Sequence, residues 1–366
     1  MDGDFPFLPP EIIRNILKRL PVKSLMRFQC VSRGWRILFK TESFISDHLD
    51  HSNHQNPCLL VKDFEIEDDP SNMYCLDSEM QVWEFQNPPW LGYLKQGRIL
   101  GSSNGLLCVK HDASPHFLLV WNPAIREVRV VPETNIGKDG FYNLIEFGFS
   151  PIINDYKIVI GYFPFDHADV STVQVYSLRS GSWKEKKIRL IDTGGVTSPG
   201  VTVNGVMFCW GYKYGEDGFE NVIVSFDLAV EEFTVTPAPQ LHKHSGFAVY
   251  EEKLALVSWM IEDSTHSVID LWVMEEGVGA SGEIWSWTKK YSINPYPCFL
   301  SPMTIWRNEI VSFSIGKPES AVVFLNPTTK KTWKFAIGKY GFKEWIFNYA
   351  ESLVPVGGMI SSTNFL

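Results

Sequence analysis

The chain has 366 residues, of which 45% are hydrophobic and 14% aromatic, and it carries a formal net charge of −9. This apolar content excludes wholesale disorder, and the length fits a large all-β domain with a small module or two to three domains. The acidic balance excludes general affinity for nucleic acid, which requires neutralisation of phosphates. Residues 11–40 depart from it with eight Lys and Arg against one Glu, which predicts an acidic partner for this segment.

The six cysteines are scattered, without a closely spaced pair, which is typical of free thiols in a reducing compartment. The acidic start of the chain does not resemble a signal peptide, and no apolar run reaches the roughly 18 residues of a membrane span. We therefore expect a location in the cytoplasm and/or the nucleus, and no association with a membrane.

The first predicted element is a helical module over residues 5–49. Its first helix starts at Pro10, carries apolar residues at positions 12, 13, 16, 17 and 20 on one face, and ends before Pro21. The pattern predicts three more helices, over residues 23–30, after the N-cap Ser32, and around Phe44–Leu49. Residues 50–57 are predicted to be a linker.

A helix-turn-helix that reads DNA is the alternative for this basic module. Its basic residues fall on several faces, and the third helix presents Trp35, Leu38 and Phe39 where a recognition helix presents polar groups. We therefore predict no binding of nucleic acid.

From residue 56 the apolar pattern changes to a period of two, which indicates strands separated by turns. Similar segments recur, and the residues that align lie 47, 55, 50, 46 and 53 positions apart: Tyr74, Trp121, Tyr176, Phe226, Trp272 and Leu325. A period of about 40–50 residues with about four strands is typical of a propeller. The predicted fold is thus a small all-α module followed by a large all-β domain, a ring of six propeller-like four-stranded units.

We place this β domain at residues 58–355 and a tail at 356–366. The first strand, Leu59–Lys62, is expected to pair with Trp345–Tyr349 and so close the ring, which removes the free sheet edges. An irregular β-sandwich or a part-open barrel is the alternative architecture.

Two glycine motifs resemble those of catalytic or cofactor sites. Gly101–Gly105 fits G-x-S-x-G, but Asn104-Gly105 is a hairpin signal and strands are predicted on both sides. Gly277–Gly282 fits G-x-G-x-x-G, but a strand follows it in place of the helix that a dinucleotide site requires. We interpret both as hairpins and predict no catalytic residue and no cofactor.

The histidines could suggest zinc. Those at positions 48, 51 and 54, and those at 242 and 244, lack the cysteine partners that would complete a closed zinc site. We predict no metal and interpret these side chains as solvated linker or loop histidines.

The segment Phe7–Arg36 resembles the F-box. It keeps the Leu-Pro start, Leu-Pro-Val-Lys-Ser-Leu at residues 20–25, Cys-Val-Ser at 30–32 and Trp-Arg at 35–36, with Gly34 where a helix former is expected. The resemblance implies docking to a Skp-type adaptor, itself bound to a cullin scaffold. The residues on the anchor positions are Leu8, Pro9, Ile12, Ile16, Leu17, Leu20, Pro21, Leu25, Val31 and Trp35.

The rest of the chain is similar to the plant F-box-associated domain, a family related in architecture to kelch-type F-box proteins. The matching segments are Gly101–Leu107, Trp121–Pro123, Gly148–Pro151 with Asp155–Ile158, Val203–Gly205 and Tyr349–Leu353. The Gly-Gly doublet that kelch repeats carry in each blade occurs here only at Gly194-Gly195 and Gly357-Gly358. The resemblance implies a non-catalytic substrate-recognition subunit of an SCF-type ubiquitin ligase. The alternatives are a sugar-binding propeller or an enzyme with structural N-terminal helices, and an F-box scaffold that acts outside a ligase.

The loop before the third strand of each repeated unit recurs at one topological position, so antiparallel alternation places these loops on one face. They are predicted at residues 111–115, 163–171, 211–221, 261–267 and 316–320. Loops on a rigid scaffold commonly carry recognition, and two of them, Phe163–Ser171 and Gly211–Asn221, are long and aromatic. The predicted contacts with an unidentified protein target are Phe163, Phe165, His167, Tyr212, Tyr214 and Phe219. The alternative is that Phe163 and Phe165 pack between neighbouring blades.

Overall fold

The fold is that of a computed structural model, which describes residues 8–62, 73–84, 97–111, 114–134, 144–162, 171–188, 193–215, 218–263, 266–279, 282–296, 300–314, 321–336 and 345–357. The chain forms two compact units. One comprises Met1–Leu60, Met73–Val131 and Asn348–Leu366, and the other Val61–Asn72 and Pro132–Phe347. No helix within the described ranges is long and apolar enough to cross a bilayer.

Four helices open the described chain: α1 (Pro10–Leu17), α2 (Val22–Phe28), α3 (Arg33–Leu38) and α4 (Glu42–Gln55). Proline begins the first two, because Pro9 and Pro21 are N-caps in an extended conformation, which suits the restricted φ of the ring. Side-chain caps begin the other two, since Ser32 and Thr41 accept from the backbone N–H three residues on, at 3.5 and 3.3 Å. The four predicted helices are confirmed.

The fourth helix is longer than predicted and takes up most of the expected linker at residues 50–57. Its last helical bond runs from Asn56 N to Ser52 O at 3.0 Å. Tertiary packing supports this extension, because His48, Leu49 and Ser52 are buried on one side of the helix. The interpretation of His48 as a solvated linker residue is therefore wrong: it is 2% exposed.

The first unit holds the helices, one whole four-stranded sheet and part of another. One sheet is made of β1 (Cys58–Lys62), β2 (Met73–Leu76), β3 (Val82–Glu84) and β24 (Trp345–Tyr349), in the order β24–β1–β2–β3. The predicted pairing of the first strand with the last is thus confirmed. The other is made, in sequence order, of β4 (Gly97–Ser103), β5 (Leu106–His111), β6 (Ser114–Asn122) and β7 (Glu127–Val131). The predicted hairpin joins β4 to β5, with φ of 49° at Asn104 and 80° at Gly105.

The second unit holds, in its described part, four more four-stranded sheets, each in sequence order. Their strands are β8 (Leu144–Ser150), β9 (Asp155–Tyr162), β10 (Ser171–Ser177) and β11 (Ser182–Ile188); β12 (Thr193–Val203), β13 (Val206–Gly215), β14 (Gly218–Asp227) and β15 (Glu232–Pro237); β16 (His244–Tyr250), β17 (Lys253–Asp263), β18 (His266–Gly279) and β19 (Gly282–Tyr296); and β20 (Leu300–Trp306), β21 (Glu309–Ser314), β22 (Ala321–Leu325) and β23 (Thr332–Ala336). Buried apolar side chains fill the space between consecutive sheets, as where Val159 and Val173 cluster with Cys209 and Val224. The predicted fold class, a helical module followed by six four-stranded units, is confirmed.

One turn recurs between the third and fourth strands and explains the period of the sequence. The six aligned residues, Tyr74 to Leu325, all lie on the third strand of their sheets. In four sheets the next residue accepts a backbone N–H two or three positions on, at 2.7–3.1 Å: Asn122, Ser177, Asp227 and Asn326. The residue four positions after each of these has positive φ: Arg126, Gly181, Glu231 and Lys330. The same turn, with a side-chain acceptor followed four residues later by a positive φ, therefore recurs in each of these sheets.

Two segments predicted as binding loops are mostly strand. β13 continues to Gly215 and β14 resumes at Gly218, so the loop predicted at residues 211–221 is largely a two-stranded ladder. β17 and β18 replace the loop predicted at residues 261–267 in the same way. Backbone hydrogen bonds continue both hairpins past the apolar residues from which the strands were predicted. Polar residues are tolerated there because an antiparallel strand can have one face exposed to solvent. A strand also follows Gly282, as the hairpin interpretation of that motif requires.

A chain that ends at residue 344 lacks β24, and we expect it to lose its cooperative unfolding transition, measured by circular dichroism on heating. The physical reason is that β1, whose five residues are all buried, would present an unpaired edge to water. A chain that ends at residue 357 keeps every described strand and should melt like the full-length protein. A soluble, protease-resistant product from the shorter chain would contradict the role assigned to β24.

Candidate functional site

Much of the predicted adaptor-binding set lies on the surface of the helical module. The exposed members are Leu8, Pro9, Ile12, Ile16, Pro21 and Val31. Helix α1 separates two apolar sides, because Ile12 and Ile16 are 45% and 48% exposed whereas Ile13 and Leu17 face the core. The sequence prediction missed Ile37, which is 61% exposed on α3.

Two predicted contact residues belong to the interior instead. Leu17 is 3% exposed and Leu25 is 0% exposed, and both pack with Val22, Phe39 and Phe44. They offer no side-chain surface to a partner, so we correct their assignment from adaptor contact to core. The physical reason is that so small a module has few apolar residues and must bury these leucines to be stable.

The remaining two members of the set, Leu20 and Trp35, are half-buried at the edge of this core. Trp35 lies against Phe28 with ring centroids 5.7 Å apart. Both side chains keep part of their surface available to a partner.

An ion pair fastens α1 to α4. Arg14 donates to Asp47 Oδ2 from Nη2 at 2.7 Å and from Nε at 3.0 Å, and its guanidinium lies over the ring of Phe44 at 5.5 Å. The outer surface carries six exposed cationic side chains: Arg19, Lys23, Arg27, Arg33, Arg36 and Lys40. The segment predicted to meet an acidic partner therefore does present its charge to solvent.

The helical core is completed by a residue from the far end of the chain. Leu353 is 5% exposed and clusters with Leu17, Val22 and Leu25. The backbone joins this contact, because Val22 N donates to Glu351 Oε2 at 3.2 Å. The module is thus seated on residues 350–356, which we call the seat segment.

Side chains of the second sheet hold the seat segment in turn. Asn122, 0% exposed, donates from Nδ2 to Ser352 O at 3.0 Å and to Val354 O at 2.8 Å. Arg129 donates to Val356 O at 3.2 Å, and Val356 N donates to a Glu127 carboxylate oxygen at 3.1 Å. Two segments that are about 230 positions apart in sequence are therefore joined by satisfied buried hydrogen bonds.

The hairpin glycine lies in the same contact. A Cβ atom on Gly105 would meet Ser352 Oγ at 2.4 Å and Ala350 O at 2.6 Å. Together with its positive φ, this close approach explains why glycine stands there.

Burial raises the pKa of Glu351, while the N–H of Val22 and the charge of Lys23 act in the opposite direction. Because the folded pKa lies above the unfolded one, the protonated carboxyl favours the folded state. This contribution to stability is complete below the ordinary pKa of Glu and is lost as the pH rises through the raised value.

The predicted target-binding residues are placed only in part. Phe163, Phe165 and His167 lie outside the described residues. Tyr212 is half-buried on β13, and the ladder places the backbone of Tyr214 opposite Phe219 on β14. The structure therefore brings three of the six residues to one hairpin.

The histidines singled out in the sequence have partners of a different kind from metal ligands. His48 Nε2 contacts Leu20 O at 3.0 Å, and His242 Nε2 lies 3.0 Å from Asp270 Oδ2. Across the described ranges, no group of three or more His, Cys, Asp or Glu is arranged to hold a metal ion.

Two family models match the sequence: an F-box domain at residues 5–47 and an F-box associated beta propeller domain at residues 70–356. An F-box protein of Arabidopsis thaliana is 31% identical over 238 residues, which cover 64% of this chain and 61% of that protein, so less than two thirds of this relative's length is spanned. An F-box/kelch-repeat protein of the same plant is 26% identical over 81% of this chain and 82% of its own length. Another F-box protein of this plant is 27% identical over 88% of this chain and 86% of its own length.

Solved structures resemble the chain only weakly. The beta-propeller domain of the Trilobed protease from Pyrococcus furiosus has a TM-score of 0.37 at 7% identity, over 76% of this chain and 80% of that one.

We expect Asn122→Ala to lower the free energy of unfolding by about 2–4 kcal/mol, because it leaves one buried and one partly buried carbonyl oxygen of the seat segment without this donor. Chemical denaturation of the full chain measures this loss. The matched control is Asn15→Ala, an exposed position on α1 where a change within about 0.5 kcal/mol is expected. Equal stabilities for the two variants would show that the amide does not hold the segment.

Proposed function

The chain belongs to the F-box-associated β-propeller family, and we propose that it is the substrate-recognition subunit of an SCF-type ubiquitin ligase. In this function the F-box binds a Skp-type adaptor that joins it to a cullin scaffold, and the propeller binds a protein target. One observation carries the proposal for the F-box: five large apolar side chains of the described module stay uncovered, namely Leu8, Ile12, Ile16, Val31 and Ile37. Five exposed large apolar side chains in a module of about forty residues favour a protein-binding surface.

The energetics support docking through the set as a whole. Burial of each large apolar side chain contributes roughly 1.5–3 kcal/mol, and association costs roughly 4–15 kcal/mol. Burial of all five side chains is therefore needed to offset the free-energy cost of association. A single charged substitution among them should be enough to lose the complex.

Charge supports the same partner. The exposed lysines and arginines of the module form a basic surface on an acidic chain. An acidic adaptor would be steered to this surface, which raises the association rate more than the final affinity and weakens as salt increases.

The proposed contribution of this subunit is positional and non-catalytic. Transfer of ubiquitin gains rate when a target lysine is held close to the charged donor. We assign no catalytic residue to the chain, and we place its action in the cytoplasm and/or the nucleus.

For the target we propose the hairpin of β13 and β14 together with the segment at residues 163–167. Tyr212 is half-buried, and Tyr214 and Phe219 are paired across the ladder. Tyr and Phe supply large contact areas with few rotatable bonds, which suits an interface anchor.

We expect Ile16→Asp to weaken adaptor binding by at least about 100-fold, because it places an unpaired charge in a desolvated contact. Surface plasmon resonance on purified adaptor measures the affinity. The matched control is Ile152→Asp, which changes an even more exposed isoleucine, 76% against 48%, in the β8–β9 turn. Undiminished binding of the Ile16 variant, with an unchanged melting temperature, would refute the docking surface.

We expect the combined change of Phe165, Tyr212 and Tyr214 to Ala to abolish capture of the target while adaptor affinity stays the same. Proximity labelling in cells that express each form measures capture, and the melting temperature is the internal control. A large fall in melting temperature would show that these aromatics are core residues. Capture by a stable triple variant would move the target site elsewhere.

A further inference from the structure

A cavity of about 310 Å³ lies where the F-box helices meet the first sheet, entirely within the first unit. Its helical side is formed by Lys18 and Arg19, just after α1, and by His48 and His51 on α4. Its sheet side is formed by residues of the β2–β3 connection, among them Glu79, and by Trp83 on β3. This volume is at the small end of the range for metabolite sites, about 300–1,000 Å³.

The two sides of the cavity carry opposite charge. In the described part of the chain, neither Lys18 nor Arg19 has a carboxylate ion-pair partner. Burial lowers the pKa of His51, and the nearby charges of Arg19 and Lys18 lower it further. Glu79 is exposed and its carboxylate has no ion-pair partner among the same residues. The turn that carries it is fixed, because Asp77 Oδ1 accepts from Glu79 N at 2.9 Å.

One lining residue, His48, is a buried histidine in its neutral form. His48 is 2% exposed, and its Nε2 is engaged by Leu20 O at 3.0 Å, a carbonyl that can only accept. Nε2 therefore carries the proton, and Nδ1 of the neutral ring is an acceptor. Burial lowers the pKa of His48 and so keeps the ring neutral. No hydrogen-bond partner for Nδ1 exists among the described residues, although the atom is buried.

These features favour a ligand that carries both charges. A carboxylate has two cations to meet on the helical side, and an ammonium has the Glu79 carboxylate to meet on the sheet side. Trp83 offers a flat apolar face for the remaining part of the molecule.

We propose that this cavity is a binding site for a small zwitterion of the size of a free amino acid, held by Lys18 and Arg19 at its carboxylate and by Glu79 at its ammonium. The bound molecule joins the F-box helices to the first sheet. Leu20 and Pro21 line the same cavity, so its occupancy also stiffens two residues of the proposed adaptor surface. This last consequence rests on the proposed function, whereas the binding itself does not.

The test is isothermal titration calorimetry of the full chain with each of the common free amino acids. We expect saturable binding at one site by at least one of them. The N-acetylated and the C-amidated forms of that amino acid each lack one charge and should bind about tenfold more weakly or worse. Inorganic phosphate and methylamine, which supply one charge alone, should bind more weakly still.

Variants at exposed positions locate the site without disturbing the core. Arg19→Gln and Glu79→Gln should each weaken binding of the same amino acid by about tenfold or more. Arg27→Gln is the matched control, an exposed arginine of the same module that does not line the cavity.

Four results would overturn the proposal: no heat with any amino acid, equal binding of the blocked forms, phosphate binding as tightly as the best amino acid, or undiminished binding by both variants. Adaptor affinity is measured separately on the unliganded chain, so a failure here is distinguishable from a failure of the proposed function.

Discussion

The position of the helical module depends on the contact between its core and the seat segment. A helical module of about forty residues cannot bury enough apolar surface to be stable alone. Leu353 supplies a further buried side chain, and Asn122 fixes the backbone around it with hydrogen bonds to two carbonyl oxygens. The module is therefore built onto the sheets rather than attached to them by a free linker.

This dependence divides the apolar residues of the F-box between two tasks. Leu17 and Leu25 are committed to the core that rests on Leu353, which leaves Ile12 and Ile16 uncovered on the other side of α1. If Leu17 and Leu25 did not stabilise the core, Ile12 and Ile16 would be needed for folding and would not be available to a partner. The seat segment thus completes the core on which the proposed adaptor surface rests.

The parts of the fold that the sequence predicts are those set by local chemistry. Side-chain caps such as Ser32 and Thr41, the hairpin at Asn104-Gly105 and the turn residues that follow each third strand act within a few positions of themselves. Pattern and spacing therefore suffice to find them. The pairing of the first strand with the last was also predictable, because an open set of blades leaves two sheet edges in water.

The parts that were missed are set by contacts between distant residues. Trp121–Pro123 and Tyr349–Leu353 are recognisable motifs, yet neither contains any sign that Asn122 binds Ser352 and Val354. The same is true of α4, which continues past the predicted end because His48 and Ser52 find buried surroundings. The apolar residues of α1 lie on both of its sides, so the sequence does not show which side faces outward. The extension of β13 and β14 results from backbone pairing, which the side-chain pattern does not record.

The contact between residues far apart in sequence also determines when a new molecule can form its F-box. Synthesis delivers the F-box helices and β1 well before it delivers β24 and Leu353. Until those later residues are made, the first sheet lacks a strand and the helical core lacks one of its members. A nascent chain released before residue 353 therefore carries an unfinished F-box. Competence for assembly is reached only when the first sheet and the helical core have both received these later residues.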